Sequence, residues 1–191
     1  MTLIAVSKSR PVDEIEPLIA AGQRDFGESR VQEALDKWPA LLARNESLRL
    51  HHIGRLQSNK AADAVRLYES IHSVDRTSLL DALAVESAKA GRAPSIYVQV
   101  NIGDEPQKGG CAIADVAGLV AAARGSGLPL AGLMAIPPLG VEPAPYFALL
   151  AKLAEREGLS GLSMGMSADY RPAVMLGATA VRVGTALFEE E

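Results

Sequence analysis

Eight short strand-like runs alternate with seven helix-like segments along this chain. Strict alternation of strands and helices is typical of a parallel sheet with helices packed outside it. Eight such units predict a closed (β/α)8 barrel of the TIM type rather than an open doubly wound sheet. The strands are predicted at 3–7, 24–28, 50–54, 70–74, 95–101, 130–136, 161–166 and 180–185. The helices are predicted at 12–21, 30–43, 59–67, 77–90, 112–124, 144–157 and 169–176.

Length, charge and cysteine content narrow the class of protein. The 191 residues predict one domain, 1–191, whose units of about 24 residues are short for a fold of usual length ~250 residues. The net charge of −4 gives no global basic surface for nucleic acid, and no apolar run reaches the ~18 residues that cross a bilayer. Cys111 is the only cysteine, which excludes an intramolecular disulfide and favours a cytoplasmic location.

The loops after the last two strands suit an anion. Barrel active sites form at the carboxyl ends of the strands, and phosphate frequently binds after strands 7 and 8. Here the two loops read GMS (165–167) and GT (184–185). Small residues at the start of a helix expose backbone N–H groups, and Ser167 and Thr185 add hydroxyls. Either loop alone is ordinary turn and capping chemistry, but the two together predict a phosphate cup.

Two cations are predicted beside that cup. Alternation in TAVRVGT (179–185) directs Arg182 into the barrel mouth, where it makes either a structural ion pair, for example with Glu28, or a ligand contact. Lys8 ends the first strand, which neighbours the eighth in a closed barrel, so Lys8 should lie near Arg182. A cationic neighbour and desolvation both lower a lysine pKa, and a neutral amine is a nucleophile toward carbonyls.

A phosphate cup, an amine and a guanidinium together fit pyridoxal 5′-phosphate (PLP), an aldehyde that carries a phosphate. One alternative is a PLP-free phosphosugar barrel enzyme in which Lys8 forms an aldolase-type Schiff base. The plain alternative is a surface lysine at a strand end. Adjacent His51 and His52 face opposite sides of a strand, so they do not predict a metal site.

Eight motifs occur in order along essentially the whole chain: LIAVSK, FGESRVQEA, HHIGRLQSNK, SIHSVDR, VQVNIGDEPQKGG, GLMAI, LSMGMSADY and GATAVRVGTALF. Together they resemble the motifs of the pyridoxal phosphate homeostasis proteins, which are related to the barrel domain of alanine racemase. The resemblance implies a PLP Schiff base on Lys8 and an Arg182 that faces the pyridine nitrogen. It also implies phosphate-binding positions at Met166, Ser167, Gly184 and Thr185, and further cofactor positions at Ser163, His51 and Ile53.

The resemblance implies PLP homeostasis or carriage rather than turnover, with PLP-dependent apoenzymes as candidate partners and a monomer or weak dimer as the assembly. An arginine partner should keep the pyridine nitrogen unprotonated, which weakens carbanion stabilisation. Racemization also needs a second base, and Tyr97, Tyr146 and Tyr170 match no family catalytic motif. The alternative is a PLP-dependent amino-acid racemase or decarboxylase.

The chain departs from the family pattern in three places. Ser29 replaces the asparagine of FGEN, so we expect a weaker cofactor contact there, and His52 replaces an aromatic or apolar residue. The helix that usually precedes strand 1 is missing, and no eighth helix is predicted before the final FEEE. We therefore expect the flank between strands 8 and 1 to be poorly covered, because the natural start lies upstream or because an oligomer contact covers it.

Overall fold

The strands pair in parallel in chain order, and the last strand pairs with the first, so the sheet closes into a barrel. The computed structural model describes residues 1–188 of the chain. The predicted (β/α)8 barrel is therefore confirmed. Its strands are β1 (Thr2–Val6), β2 (Asp25–Glu28), β3 (Arg49–His52), β4 (Ser70–Val74), β5 (Ser95–Val100), β6 (Leu130–Ala135), β7 (Gly161–Ser163) and β8 (Ala180–Val183).

A helix follows every strand, including the last. The predicted absence of an eighth helix is wrong, because Thr185–Phe188 form one helical turn whose Leu187 and Phe188 pack against the core. The remaining residues of the predicted FEEE end, 189–191, lie outside the described residues. The helices are α1 (Val12–Ala20), α2 (Val31–Arg44), α3 (Ala61–Leu67), α4 (Thr77–Ala90), α5 (Val116–Gly125), α6 (Ala144–Arg156), α7 (Tyr170–Met175) and α8 (Thr185–Phe188). Within residues 1–188, none of them is long and apolar enough to cross a membrane.

Alternate strand residues divide between two environments. The residues that point outward, such as Phe26, Leu50 and Val181, join the helices in one continuous hydrophobic cluster. The residues between them point into the barrel, where His51 and Arg182 are buried. The apolar core thus lies between sheet and helices, while the barrel interior carries polar groups that need hydrogen-bond partners.

The strands β6 and β7 approach so closely that no side chain fits between them. A Cβ atom built on Gly132 would lie 1.9 Å from the carbonyl oxygen of Gly161. Gly132 and Gly161 are therefore required by the close approach of two strands in the closed barrel and not by a turn.

The outer face of β1 is only partly covered. Leu3 is 38% exposed, although Ile4 and Ala5 beside it are buried. This is the flank that the sequence predicts to be short of cover.

His52 occupies an apolar position on the outer face of β3. Its ring lies edge-on to Tyr68 with centroids 4.9 Å apart, and the residue is fully buried. Neither ring nitrogen makes a hydrogen bond of ordinary geometry among residues 1–188, although the nearby backbone of Gly54 and Arg55 opposes the effect of burial on the ring pKa. Burial lowers the pKa of His52 to about 4, so the ring is neutral at pH 7 and packs as an aromatic side chain.

We expect His52→Phe to stabilise the protein by about 1–2 kcal/mol, because it removes two buried nitrogens that lack partners. Urea unfolding would measure the change. His51→Phe is the matched control, and it should destabilise the fold because His51 does have partners, Asp25 and His72. A less stable His52→Phe variant would show that the His52 nitrogens are bound in solution.

Candidate functional site

A cavity of about 490 Å³ opens at the carboxyl ends of the strands, within the size range of small-ligand sites. Its wall comes from the segments that follow β1, β2, β3, β6 and β7, and from β8 with the loop after it. The topology thus brings together residues that are far apart in the chain. The predicted site residues that line the cavity are Lys8, Ser29, Ile53, Met166, Ser167, Arg182, Gly184 and Thr185.

Lys8 stands at the rim of this cavity. The chain turns sharply after it, because Ser9 has a left-handed backbone (φ 59°) and donates its N–H to Glu33. A non-glycine residue in this conformation is held there by its surroundings. Lys8 itself is exposed, in contrast to the predicted desolvation of its amine.

A buried ionic cluster fixes the end of β1 just before Lys8. The Ser7 hydroxyl donates to Glu28 Oε1 at 2.8 Å, and Lys37 Nζ donates to the Ser7 carbonyl at 2.8 Å. Lys37 also pairs with Glu28 at 2.7 Å, and Trp38 Nε1 donates to the same oxygen at 2.9 Å. These contacts join β1 and β2 to α2, and so hold the strand that carries the lysine.

The predicted phosphate cup adjoins the end of β1, since Gly184 lies against Val6, and two of its amides are bonded within the cup. Gly184 N donates to Ser167 Oγ at 3.1 Å, and Met166 N donates to Asp169 Oδ1 at 2.6 Å. The amides of Ser167, Ala168 and Thr185 have no hydrogen-bond partner within the described chain. Helices α7 and α8 span six and four residues, so the positive potential at these loops comes from individual amides and not from a long helix dipole.

Arg182 is buried in the cavity wall. Its Nη1 donates to Ser163 Oγ at 2.6 Å and its Nη2 to the Ala135 carbonyl at 3.1 Å. The predicted ion-pair alternative with Glu28 is wrong, because Glu28 points outward to α2. Burial lowers the pKa of Arg182 to about 10, which leaves the guanidinium charged at pH 7. Two of its five N–H groups are engaged, so others remain for a ligand.

Ser163 and His51 lie beneath the cavity and are not among its lining residues. Both contact His72, a buried residue that the sequence analysis did not single out. The alternation in SIHSV places His72 inward, and that pattern is the signal that could have found it. Asp25, at the start of β2, bonds His51 and was also missed.

The other residue types that could carry chemistry, namely metal ligands, tyrosines and the cysteine, do not line this cavity among the described residues. No group of three metal-ligating side chains occurs in residues 1–188. Tyr97 stacks on His72 with centroids 4.4 Å apart, below the cavity. Of the described residues that line the cavity, none is a tyrosine. Cys111 is buried, and burial raises the pKa of its thiol to about 11, so it is not a nucleophile at neutral pH.

Comparison with known proteins assigns the chain to a family. The family model described as the alanine racemase N-terminal domain matches residues 2–191. A relative from Pseudomonas aeruginosa, described as a pyridoxal phosphate homeostasis protein, is 43% identical, and the match covers 97% of this chain and 83% of that protein. The chain belongs to the pyridoxal phosphate homeostasis protein family.

Solved structures of this family share the barrel. PipY of Synechococcus elongatus is 41% identical. Its structure without PLP has a TM-score of 0.92 over 99% of this chain and 93% of PipY. Its structure with PLP bound has a TM-score of 0.90 over 99% of this chain and 92% of PipY. The family resemblance given by the eight motifs is therefore confirmed.

Proposed function

We propose that this chain binds PLP as a Schiff base on Lys8 and acts in PLP homeostasis as a carrier rather than by turnover. The observation that carries the proposal is one cavity lined by an amine, free backbone amides and a buried guanidinium. These are the groups that an aldehyde, a phosphate and an aromatic nitrogen require. The family relative named for PLP homeostasis and the PLP-bound PipY structure support it.

The cavity residues fit the three parts of PLP. The free amides of Ser167, Ala168 and Thr185, with the Thr185 hydroxyl, would bind the phosphate. Arg182 can only donate hydrogen bonds, so it would hold the ring nitrogen as an acceptor. Bound PLP would supply an electrophilic aldehyde. The neutral form of the Lys8 amine would add to this carbon, and formation of the C=N bond would release one water molecule.

The residues around the cavity favour reversible loading. Lys8 is exposed at the rim, so water or an incoming amine could reach the same bond and free the cofactor. Because the cationic Arg182 can only donate a hydrogen bond and cannot accept one from a pyridinium N–H, the ring nitrogen would stay unprotonated and withdraw electrons weakly. We propose PLP-dependent apoenzymes as recipients; a monomer or weak dimer and a cytoplasmic location stay predictions.

The direct test is an absorption spectrum with PLP, before and after borohydride, followed by mass mapping of the modified lysine. We expect a visible band that borohydride removes and a reduced adduct on Lys8. Steady turnover of any amino acid would instead favour the racemase or decarboxylase. No visible band at any PLP concentration would favour the PLP-free phosphosugar enzyme.

Ser29 offers a test in which a substitution should strengthen PLP binding rather than weaken it. It lines the cavity, and its backbone is held tightly, since a Cβ on Gly54 would lie 2.2 Å from the Ser29 carbonyl oxygen. We expect Ser29→Asn to tighten PLP binding about fivefold, because the longer amide regains roughly one hydrogen bond. Spectral titration measures this, with exposed Ser160→Asn as control. Unchanged or weaker binding by Ser29→Asn would show that position 29 does not contact the cofactor.

A further inference from the structure

A linear hydrogen-bond network crosses the barrel interior from the amino-terminal ends of the strands to the cavity. Asp25 Oδ1 lies 3.0 Å from His51 Nε2, and His51 Nδ1 lies 3.1 Å from His72 Nε2. His72 Nδ1 lies 2.8 Å from Ser163 Oγ, which accepts from Arg182 Nη1 at 2.6 Å. All five residues are buried. The linear hydrogen-bond network therefore joins the Asp25 carboxylate at one end to the Arg182 guanidinium at the other.

The direction of every bond follows from the Arg182 end. A guanidinium can only donate, so the Ser163 oxygen is the acceptor in their bond. The Ser163 hydroxyl proton then needs an acceptor, and within the described chain the polar atom in reach is Nδ1 of His72. Burial lowers the pKa of His72 well below its usual value, so the ring carries one proton, on Nε2.

The same logic continues to the other end. Nε2–H of His72 donates to Nδ1 of His51, so Nδ1 is the acceptor in this bond and the ring proton of His51 lies on Nε2. That proton is donated to Asp25. Burial alone would raise the pKa of Asp25, but hydrogen bonds from Arg49 and His51 outweigh burial and hold this pKa well below its usual range. Asp25 is therefore an anion, and all donors point toward it.

Arg182 needs such a distant partner. No carboxylate lies within ion-pair distance of its guanidinium among residues 1–188, and Asp169 acts on it only through space. An unpaired buried cation is costly. In a low-dielectric interior, each hydrogen bond polarises the next, so the Asp25 charge makes His51, then His72, then Ser163 a stronger acceptor.

We propose that Asp25 is a remote counter-charge of Arg182, in addition to Asp169, and that His51 and His72 are positioning residues that connect Asp25 to Arg182. The guanidinium makes no ion pair in the cavity wall, where a directly bonded carboxylate would repel an anionic ligand. Asp169 acts on it only through space and is itself hydrogen-bonded to Met166 N. The effect on ligand binding rests on the proposed function, whereas the proton positions do not.

The proton positions can be measured on the cofactor-free protein. The chain has three histidines, so long-range ¹H–¹⁵N spectra of the ¹⁵N-histidine-labelled protein resolve each ring, with His52→Phe to assign the third. We expect neutral Nε2–H tautomers for both His51 and His72 at pH 7. An Nδ1–H tautomer or a doubly protonated ring at either position would overturn the proposal, whether or not PLP binds.

Two variants then test whether the charge of Asp25 affects ligand binding at Arg182. Asp25→Asn keeps the shape but removes the charge, and we expect PLP binding to weaken about tenfold, since charge-assisted hydrogen bonds are the stronger ones. Arg49→Met removes the half-exposed partner of the same carboxylate and leaves the bond from His51. It should change PLP binding less than about threefold. Equal losses in the two variants, or no loss in Asp25→Asn, would overturn the proposal.

Discussion

Replacing Lys8 by alanine is expected to abolish the visible absorbance of the protein–PLP complex and the adduct that borohydride fixes. The cavity offers no second amine for this bond, because Lys8 is the only lysine among its described lining residues. The phosphate cup and Arg182 remain in the variant, so PLP should still bind weakly and without a covalent bond. Spectra and intact-mass measurement after reduction report the two effects separately.

The matched control for this experiment is Lys152→Ala. Lys152 is an exposed lysine on α6, outside the cavity, and its variant should keep the full band and the reduced mass. An unchanged band in Lys8→Ala would defeat the assignment of the Schiff base to Lys8. Weak residual binding of PLP by Lys8→Ala, competed by inorganic phosphate, would support the phosphate cup independently.

The sequence predicted which residues line the cavity because the carboxyl ends of barrel strands meet at one end of the barrel. Lys8 and Arg182 are separated by almost the whole chain, yet pairing of β1 with β8 brings their strands together. Once eight strands are recognised, this follows from closure alone. The loops after β7 and β8 were located for the same reason.

Other features depended on details that strand recognition does not supply. Glu28 was assigned to the barrel mouth, but it alternates with Gly27 and shares the outer face with Phe26, which contacts Trp38. Although β2 and β8 both flank β1, Glu28 faces the helices and Arg182 faces the barrel interior, so the two side chains lie on opposite sides of the sheet. The eighth helix was missed because four residues are too few to show a helical period.

The linear hydrogen-bond network from Asp25 to Arg182 could be found only once the stagger of the barrel strands was known. Alternation alone places His51 and His72 inside, but which nitrogens meet depends on strand register and ring rotation. His72 reaches across the barrel to Ser163 on β7, 91 residues away in the chain. Such contacts are set by the three-dimensional packing of a narrow interior, which no local pattern encodes.

Replacing Glu28 by alanine is expected to cost about 3–5 kcal/mol of the free energy of unfolding, the typical penalty for breaking a buried ion pair. Glu28 is fully buried and the Lys37 side chain is only 9% exposed. The variant would leave the Lys37 charge without its nearest partner, the Trp38 N–H unpaired, and the Ser7 hydroxyl with only a long bond of 3.4 Å to the Gly27 carbonyl. Guanidinium unfolding measures the loss, and Glu86→Ala, which removes an exposed pair with Lys89, should cost less than about 1 kcal/mol.

Two further variants separate charge from packing at this cluster. Glu28→Gln keeps an acceptor for Ser7 and Trp38, so it should lose less stability than Glu28→Ala. Adding Lys37→Met to Glu28→Ala should recover part of the loss, because the buried charge, which keeps only Glu33 as an ionic partner at 3.2 Å, is then gone. If the double variant were less stable than Glu28→Ala, the Lys37 bond to the Ser7 carbonyl, and not the ion pair, would be what holds β1. In that case Schiff-base formation on Lys8 should slow in Lys37→Met while Glu28→Ala reacts normally.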